Sequence, residues 1–196
     1  MSSVSTRSAA TSMDPKERRI TEAAMRLFHR HGYRKVTMMD IAAESGMSRP
    51  SLYAAFANKE AVFSALMDDH CRVNAAKADA VVAGMGSLRD KLEALFEIWI
   101  LEPFASVAGS ENGADLLANS TVYAPEASTA LYHRFREQLL EVLRPEMAES
   151  GGMSAGDLAH FLMMAVRGLK ATTATEEELR RLTTTLIAMA EATANA

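Results

Sequence analysis

The residues best suited to chemistry with another molecule lie close together, around Arg49. A guanidinium group can donate two hydrogen bonds to one guanine edge, or it can hold a phosphate. The hydroxyl groups of Ser48 and Tyr53 and the ammonium group of Lys59 are of the kinds that contact phosphates at the edge of a groove. These residue types at this spacing indicate contact with nucleic acid.

Two short helices with capping signals must position these residues. Thr37 and Asp40 have the spacing of a capping box, Gly46 ends the first helix, and Ser48 caps the second, with Pro50 in its first turn. Two such helices joined by a three-residue turn predict a helix-turn-helix, whose second helix can enter the major groove of DNA. Its outward positions are Arg49, Pro50, Ser51, Ala54 and Ala55, whereas Leu52 and Phe56 face inward.

The charge of the chain is divided unevenly. The net charge of the whole chain is −4, but residues 1–60 hold ten Lys and Arg against six Asp and Glu. Residues 61–196 hold eleven Lys and Arg against nineteen Asp and Glu. This asymmetry favours a small basic unit that meets a polyanion and a larger acidic unit that does not.

Helical signals fill most of the remaining sequence. Asp14 and Pro15 start an amphipathic helix that Gly32 ends, and Asn58 caps a long helix that runs to about Val82. No segment alternates in polarity between hairpin turns, so we predict an all-α protein. The other predicted helices are one from Ser87 to a stop at Pro103, a short one near 114–119 in the weakly patterned stretch 104–124, one from Pro125 through Val142, and two capped by Ser154 and Thr175.

Composition and motifs argue against several classes of protein. The single cysteine, Cys71, excludes a disulfide scaffold and a thiolate zinc site. No apolar run approaches the ~20 residues of a membrane crossing, and the N-terminus lacks the apolar stretch of a secretory signal. No nucleophile-elbow, zinc-protease or phosphate-loop motif occurs. We therefore expect a cytoplasmic protein that is not an enzyme, uses no cofactor or metal and binds no membrane.

Residues 37–60 resemble the DNA-binding domain of TetR-type transcriptional regulators. The matching string, TMMDIAAESGMSRPSLYAAFANKE, contains an I-A-x-x-x-G-M-S run, an S-x-x-x-L-Y-x-x-F helix and the K-E that begins the next helix. The preceding helix, which ends in F-x-x-x-G-Y, matches as well. The strong resemblance covers about residues 14–67, and it is specific because several residue types recur in one register.

The resemblance implies a set of DNA contacts on and around the second helix. The residues that match the family's contact positions are Thr37, Ser48, Arg49, Pro50, Ser51, Tyr53 and Lys59. The chain departs from the common pattern at the Ala54–Ala55 pair, where bulkier residues are usual, and at the Met38–Met39 pair, where a polar contact is common. Direct readout of bases is therefore expected to be sparse, with Arg49 and the shape of the DNA supplying more of the specificity.

The resemblance also implies a division of the chain and two further sites. We expect a tail over residues 1–13, a helix-turn-helix DNA-binding domain over 14–67 with its motif at 37–56, and a helical domain over 68–196 for dimerisation and ligand binding. The residues expected at the dimer interface are Leu158, Phe161, Leu162, Ala165, Leu169, Leu179, Leu182, Leu186 and Met189. The residues expected in a ligand pocket are Phe96, Trp99, Ile100, Phe104, Tyr123, His133, Met163, Met164 and Arg167. Both sets also fit ordinary core packing.

These observations predict a homodimeric DNA-binding regulator, more specifically a repressor that a small effector releases. Its expected partners are double-stranded operator DNA, a second copy of the chain and a small apolar or amphipathic effector. One alternative that the sequence leaves open is a constitutive regulator or an activator without a small-molecule effector. The other is a helical interaction or enzyme domain whose helix-turn-helix is incidental.

Overall fold

The structure, a computed structural model, describes residues 13–107, 110–147, 152–173 and 175–195. Within these ranges the chain forms helices and no strand, which confirms the predicted all-α class. No helix in the described ranges is both long and apolar enough to cross a membrane. The α-helices are α1 (Pro15–His31), α2 (Met38–Ser45), α3 (Arg49–Ala55), α4 (Lys59–Val82), α5 (Leu88–Phe96), α6 (Glu102–Val107), α7 (Glu111–Tyr123), α8 (Pro125–Leu143), α9 (Ala155–Thr172) and α10 (Glu176–Ala194).

The first three helices begin and end where the sequence predicts. The Thr37 and Asp40 side chains form the expected capping box at the start of α2. The Ser48 hydroxyl accepts a hydrogen bond from the Ser51 amide at the start of α3. The apolar faces of these helices, with the start of α4, enclose one core. Its most deeply buried side chains include Ile20, Phe28, Ile41, Leu52 and Val62.

The remaining helices form a bundle around α8. This helix packs against α4, α5, α7 and α9, and α10 packs against α5 and α9. A buried chain of hydrogen bonds crosses the bundle: Trp99 Nε1 donates to Gln138 Oε1 at 2.7 Å, and Gln138 Nε2 donates to the Ala75 carbonyl at 3.0 Å. Because buried polar groups need partners, these bonds fix the relative position of α4, α8 and the segment after α5.

Pro103 does not end the helix that begins after Ser87, so this predicted boundary is wrong. The chain passes from α5 through a π-helical turn, Glu97–Leu101, directly into α6. In this wider turn the Glu102 amide bonds to the Glu97 carbonyl, five residues back. A turn with this spacing accommodates a proline, which lacks the amide hydrogen that a regular turn needs.

The short helix predicted near 114–119 exists, but it is longer than predicted. α7 covers Glu111–Tyr123, and the Ser110 hydroxyl caps it by accepting from the Gly113 amide at 3.2 Å. The glycine-rich composition at its start concealed this capped helix.

α7 completes the N-terminal core as well as the bundle. Leu116 and Tyr123 lie in the same buried cluster as Phe28 of α1. The Asn112 side-chain amide donates to the His29 carbonyl at the end of α1, at 3.0 Å. Residues from the larger unit thus stabilise the smaller one, and the predicted division after residue 67 falls inside the continuous helix α4.

Candidate nucleic-acid interface and cavity

The outer face of α3 carries the side chains that the sequence predicts to contact DNA. Ser48, Arg49 and Pro50 are exposed, and Tyr53 is 43% exposed. The Arg49 guanidinium lies 5.8 Å from the centre of the Tyr53 ring, so both side chains lie on the same side of the helix. Leu52 is fully buried and anchors α3 to the core. The helix therefore presents a cation and hydroxyl groups on a fixed support.

The remaining predicted hydroxyl contacts lie at helix starts. Thr37 is exposed, and its hydroxyl donates to the Asp40 carboxylate at 2.7 Å, which lowers the pKa of Asp40. Ser51 is half-buried, with its hydroxyl oxygen 2.8 Å from that of Ser48. Their contacts to phosphate stay predictions. Ala55, expected to face outward, is instead half-buried against the N-terminal core.

Arg19 of α1 holds the turn between α2 and α3. Its Nε donates to the Ser45 carbonyl at 2.8 Å, and its Nη2 donates to the Gly46 carbonyl at 3.2 Å. Gly46 has a φ of +63°, in the left-handed region that favours glycine. No sequence pattern indicated this role for Arg19, because it meets its partners only once α1 and α2 have packed.

Gly46→Ala is expected to lower the free energy of unfolding by about 1–2 kcal/mol, because alanine is strained at positive φ. The added Cβ would also lie 3.2 Å from Arg19 Nη2. Urea unfolding measures the change. Gly86→Ala is the matched control, since a Cβ there meets nothing within 4 Å and stability should stay the same or rise slightly. An equal loss in both variants would contradict the argument.

Lys59 makes contacts within the protein that the sequence did not predict. Its Nζ donates to the Tyr33 carbonyl at 2.8 Å and to the Val36 carbonyl at 3.0 Å, and it lies 4.3 Å from the centre of the Tyr33 ring. Burial lowers the pKa of Lys59. Since an ammonium group has three hydrogens, one remains for a phosphate. Lys59 thus ties α4 to the segment before α2, and its phosphate contact stays a prediction.

A cavity of about 100 Å³ that is partly open to solvent lies where α4, α6, α7, α8 and α9 meet. Its wall is mostly apolar and includes Met67, Trp99 and Leu117. The polar side chains that line it are His70, Ser106, Ser120, Tyr132 and Lys170. An apolar cavity with a few convergent polar groups is the usual form of a small-molecule site.

The cavity contains one lysine that burial strongly affects. Burial lowers the pKa of Lys170 to about 8. The pKa of His70 is lowered as well, first by burial and then by the positive charge of Lys170. Burial raises the pKa of Tyr132, whose ring also lies 4.9 Å from the Arg167 guanidinium.

A larger groove between α4 and α8 is less suited to hold a small molecule. It is open to solvent, and charged side chains, including Arg134 and Glu137, form much of its wall. Arg134 pairs there with Asp79 at 3.0 Å and with Glu137 at 3.5 Å. Because the groove is more open than the cavity and its Arg134 is already paired, we take the cavity as the candidate site.

Of the nine residues expected in a ligand pocket, Trp99 lines the cavity and the other eight do not. Tyr123 instead stacks on Tyr33, with ring centres 3.9 Å apart. The residues that belong to the bundle core are Phe96, Ile100, Phe104 and Met163. The residues that are exposed on the surface are His133, Met164 and Arg167. A helical pattern marks an apolar stripe, but it does not show which part of the stripe borders a void.

The outer surface of α9 and α10 exposes a group of apolar side chains. Phe161 is 50% exposed, Met164 is 48% exposed and Met189 is 55% exposed. The other expected dimer residues that are half-buried are Ala165, Leu169, Leu182 and Leu186. Three expected dimer residues are wrong, because they are buried inside their own bundle: Leu158, Leu162 and Leu179. Met164, which we expected in the pocket, lies on the exposed surface with Phe161.

Comparisons with known proteins agree with this geometry. Residues 20–66 match the family described as bacterial regulatory proteins, tetR family. The chain is 25% identical over 176 residues to the HTH-type transcriptional repressor ComR of Escherichia coli strain K12, covering 82% of this chain and 80% of ComR.

Solved structures share the fold over nearly the whole chain. The fatty acid degradation regulator FadR from Bacillus halodurans has a TM-score of 0.72 at 16% identity, covering 92% of this chain and 96% of that one. The transcriptional regulator FadR from Bacillus subtilis, solved with stearoyl-CoA, has a TM-score of 0.68 at 15% identity, covering 91% and 98%.

The matched residues 20–66 include α2, α3 and the turn that Arg19 holds, and the fold likeness extends through the helical bundle. The curated relatives are named as HTH-type transcriptional regulators or repressors. The helix-turn-helix part of the chain thus matches the tetR family of bacterial regulatory proteins, and the chain as a whole is similar to transcriptional regulators.

Proposed function

We propose that this protein is a homodimeric repressor that occupies operator DNA and leaves it when a small effector binds its helical domain. The observation that carries the proposal is the outer face of α3, where Ser48, Arg49 and Tyr53 are exposed while Leu52, on the opposite face, is buried. A helix supported in this way fits the major groove. The proposed DNA-binding domain is 14–67, and 68–196 carries dimerisation and effector binding.

The proposed partner of α9 and α10 is a second copy of the chain. Phe161, Met164 and Met189 form an apolar surface that water would otherwise cover. Two helices from each protomer give a four-helix interface about a two-fold axis. The two α3 helices of such a dimer would meet successive major grooves, about 34–36 Å apart along a palindromic operator.

Two helices connect the cavity with the DNA-contacting part. α4 begins at Lys59 and lines the cavity with Met67. α7 lines the cavity with Leu117 and places Tyr123 against Tyr33, just before α2. A ligand that shifts either helix therefore changes the position of α2 and α3. Release from DNA then follows if the ligand binds more tightly to the shifted state.

Fluorescence anisotropy with the DNA upstream of the protein's own gene tests the proposal. Wild type is expected to bind tightly and to resist non-specific competitor DNA. Arg49→Ala combined with Tyr53→Ala is expected to weaken binding by about 10- to 100-fold, because a base or phosphate contact is worth roughly 1–3 kcal/mol. Arg144→Ala, which removes an exposed arginine beyond α8, is the matched control and should bind like wild type.

A salt series separates specific binding from general attraction. Binding that is weak, that salt abolishes and that the double variant does not change would leave only the attraction of a polycation for DNA. The proposed function would be contradicted if only such non-specific binding is found, both with the upstream DNA and with DNA selected from a random pool.

A further inference from the structure

Lys170 places a positive charge at a mostly apolar cavity without a compensating anion. Among the residues that the structure describes, no carboxylate pairs with its ammonium group, and the aromatic contact that it makes is with Tyr132, 5.8 Å to the ring centre. Lys77, in contrast, is exposed and forms an ion pair with Glu102 at 2.6 Å. The Lys170 side chain is partly buried. An ammonium group that loses part of its water without gaining a partner destabilises a protein, so an anion from outside the chain would be bound favourably.

The hydroxyl groups around the cavity differ in what they can offer a ligand. Those of Ser106 and Ser120 donate to the Pro103 carbonyl at 2.8 Å and to the Leu117 carbonyl at 3.1 Å. These two can therefore only accept a hydrogen bond from a ligand. The Tyr132 hydroxyl donates to no group within the described ranges, and its raised pKa keeps the proton in place. Tyr132 is thus an available donor.

Asn74 fixes the proton of His70. The Asn74 Nδ2 atom donates to the Ile98 carbonyl at 3.2 Å and lies 3.1 Å from His70 Nε2. Because Nδ2 is a donor, Nε2 must accept, and the neutral ring carries its proton on Nδ1. The cavity therefore combines a cation with two donors, and no aspartate or glutamate lines it among the described residues.

We propose that this cavity binds a small monocarboxylate, with the carboxylate on Lys170 and Tyr132 and the apolar body among Met67, Leu117 and Leu131. The inference rests on the proposed function, because it makes this carboxylate the effector. The cavity, at about 100 Å³, is smaller than the roughly 300–1,000 Å³ of sites for drug-sized ligands. It is closer to a cavity of about 150 Å³ that holds benzene. The body of the ligand is therefore a short alkyl chain or a single ring.

Isothermal titration calorimetry on the full chain tests the inference. The probes are butyrate, hexanoate and benzoate, each compared with the primary amide of the same shape. At least one carboxylate is expected to bind about tenfold or more tightly than its amide, because only the carboxylate forms a charge-assisted bond with Lys170. Lys170→Met should abolish this preference. Lys77→Met removes an exposed lysine outside the cavity and should retain it.

The possible failures are distinguishable. If no carboxylate binds, or if each binds no better than its amide, the inference is overturned, while binding of operator DNA would leave the proposed function intact. Carboxylate binding by a chain that binds no DNA would support the site and contradict the proposed function. If hexanal is instead trapped on Lys170 by borohydride while no carboxylate binds, the lysine acts as a nucleophile and the inference is overturned. Circular dichroism checks that Lys170→Met is folded.

Discussion

Phe161→Glu is expected to convert the protein from a dimer to a monomer and to weaken operator binding by about 100-fold or more. Phe161 is half exposed in the protomer, so the substitution should not disturb folding. In the proposed dimer the glutamate would be buried without a partner, which strongly disfavours association. A monomer carries a single α3, so it loses the gain in affinity from binding two half-sites together. Light scattering and anisotropy on one preparation measure both effects.

Val81→Glu is the matched control for this prediction. Val81 is 38% exposed near the end of α4, on a helix other than α3 and the two helices of the proposed interface. This variant should remain a dimer and bind DNA like wild type. A dimer that persists in Phe161→Glu, at concentrations where wild type is dimeric, would place the interface on another surface.

The helix-turn-helix could be predicted from the sequence because its signals are local. Thr37 with Asp40, Gly46 and Ser48 each act within four residues, and all three form the caps that their types predict. The contacts that position this motif are not local. Arg19 and Tyr123 reach the turns on either side of α2 only after distant helices have packed, so no spacing in the sequence revealed them.

The cavity and the dimer surface were harder to predict, for a related reason. An apolar stripe indicates that one side of a helix is buried, but it does not show whether another helix, a ligand or a second protomer covers it. Leu162 and Phe161 are neighbours in sequence, yet Leu162 is buried in the bundle and Phe161 is half exposed. Lys170 lies in the last turn of α9, where a lysine is ordinary because a cation complements the helix dipole, so its type and place did not suggest a site.

Lys170→Met is expected to stabilise the ligand-free protein, by an amount that depends on pH. Burial lowers the pKa of Lys170 from 10.5 to about 8, so the folded state disfavours the charged form. At pH 7 the lysine is protonated in both states, and the folded protein bears the full penalty, on the order of 3 kcal/mol. Methionine has a similar length and no charge, so it removes this penalty without leaving a void.

The advantage of Lys170→Met should decrease as pH rises from about 8 toward 10.5, because the folded wild type loses its proton before the unfolded chain does. The pKa shifts of the two neighbouring groups lead away from this range, because burial lowers the pKa of His70 and raises that of Tyr132. Urea unfolding between pH 7 and 10 at one protein concentration measures the change.

Lys77→Met removes one member of an exposed ion pair and is the control in the same unfolding experiments. Its free energy of unfolding should differ from that of wild type by about 1 kcal/mol or less at every pH. If Lys170→Met is more stable than wild type by the same amount at pH 7 and at pH 10, the gain means only that methionine packs better. A gain that falls to a small part of its pH 7 value by pH 10, together with lost carboxylate binding, would mean that one charge both destabilises the empty protein and holds its ligand. A lysine with a purely structural role would not show that combination.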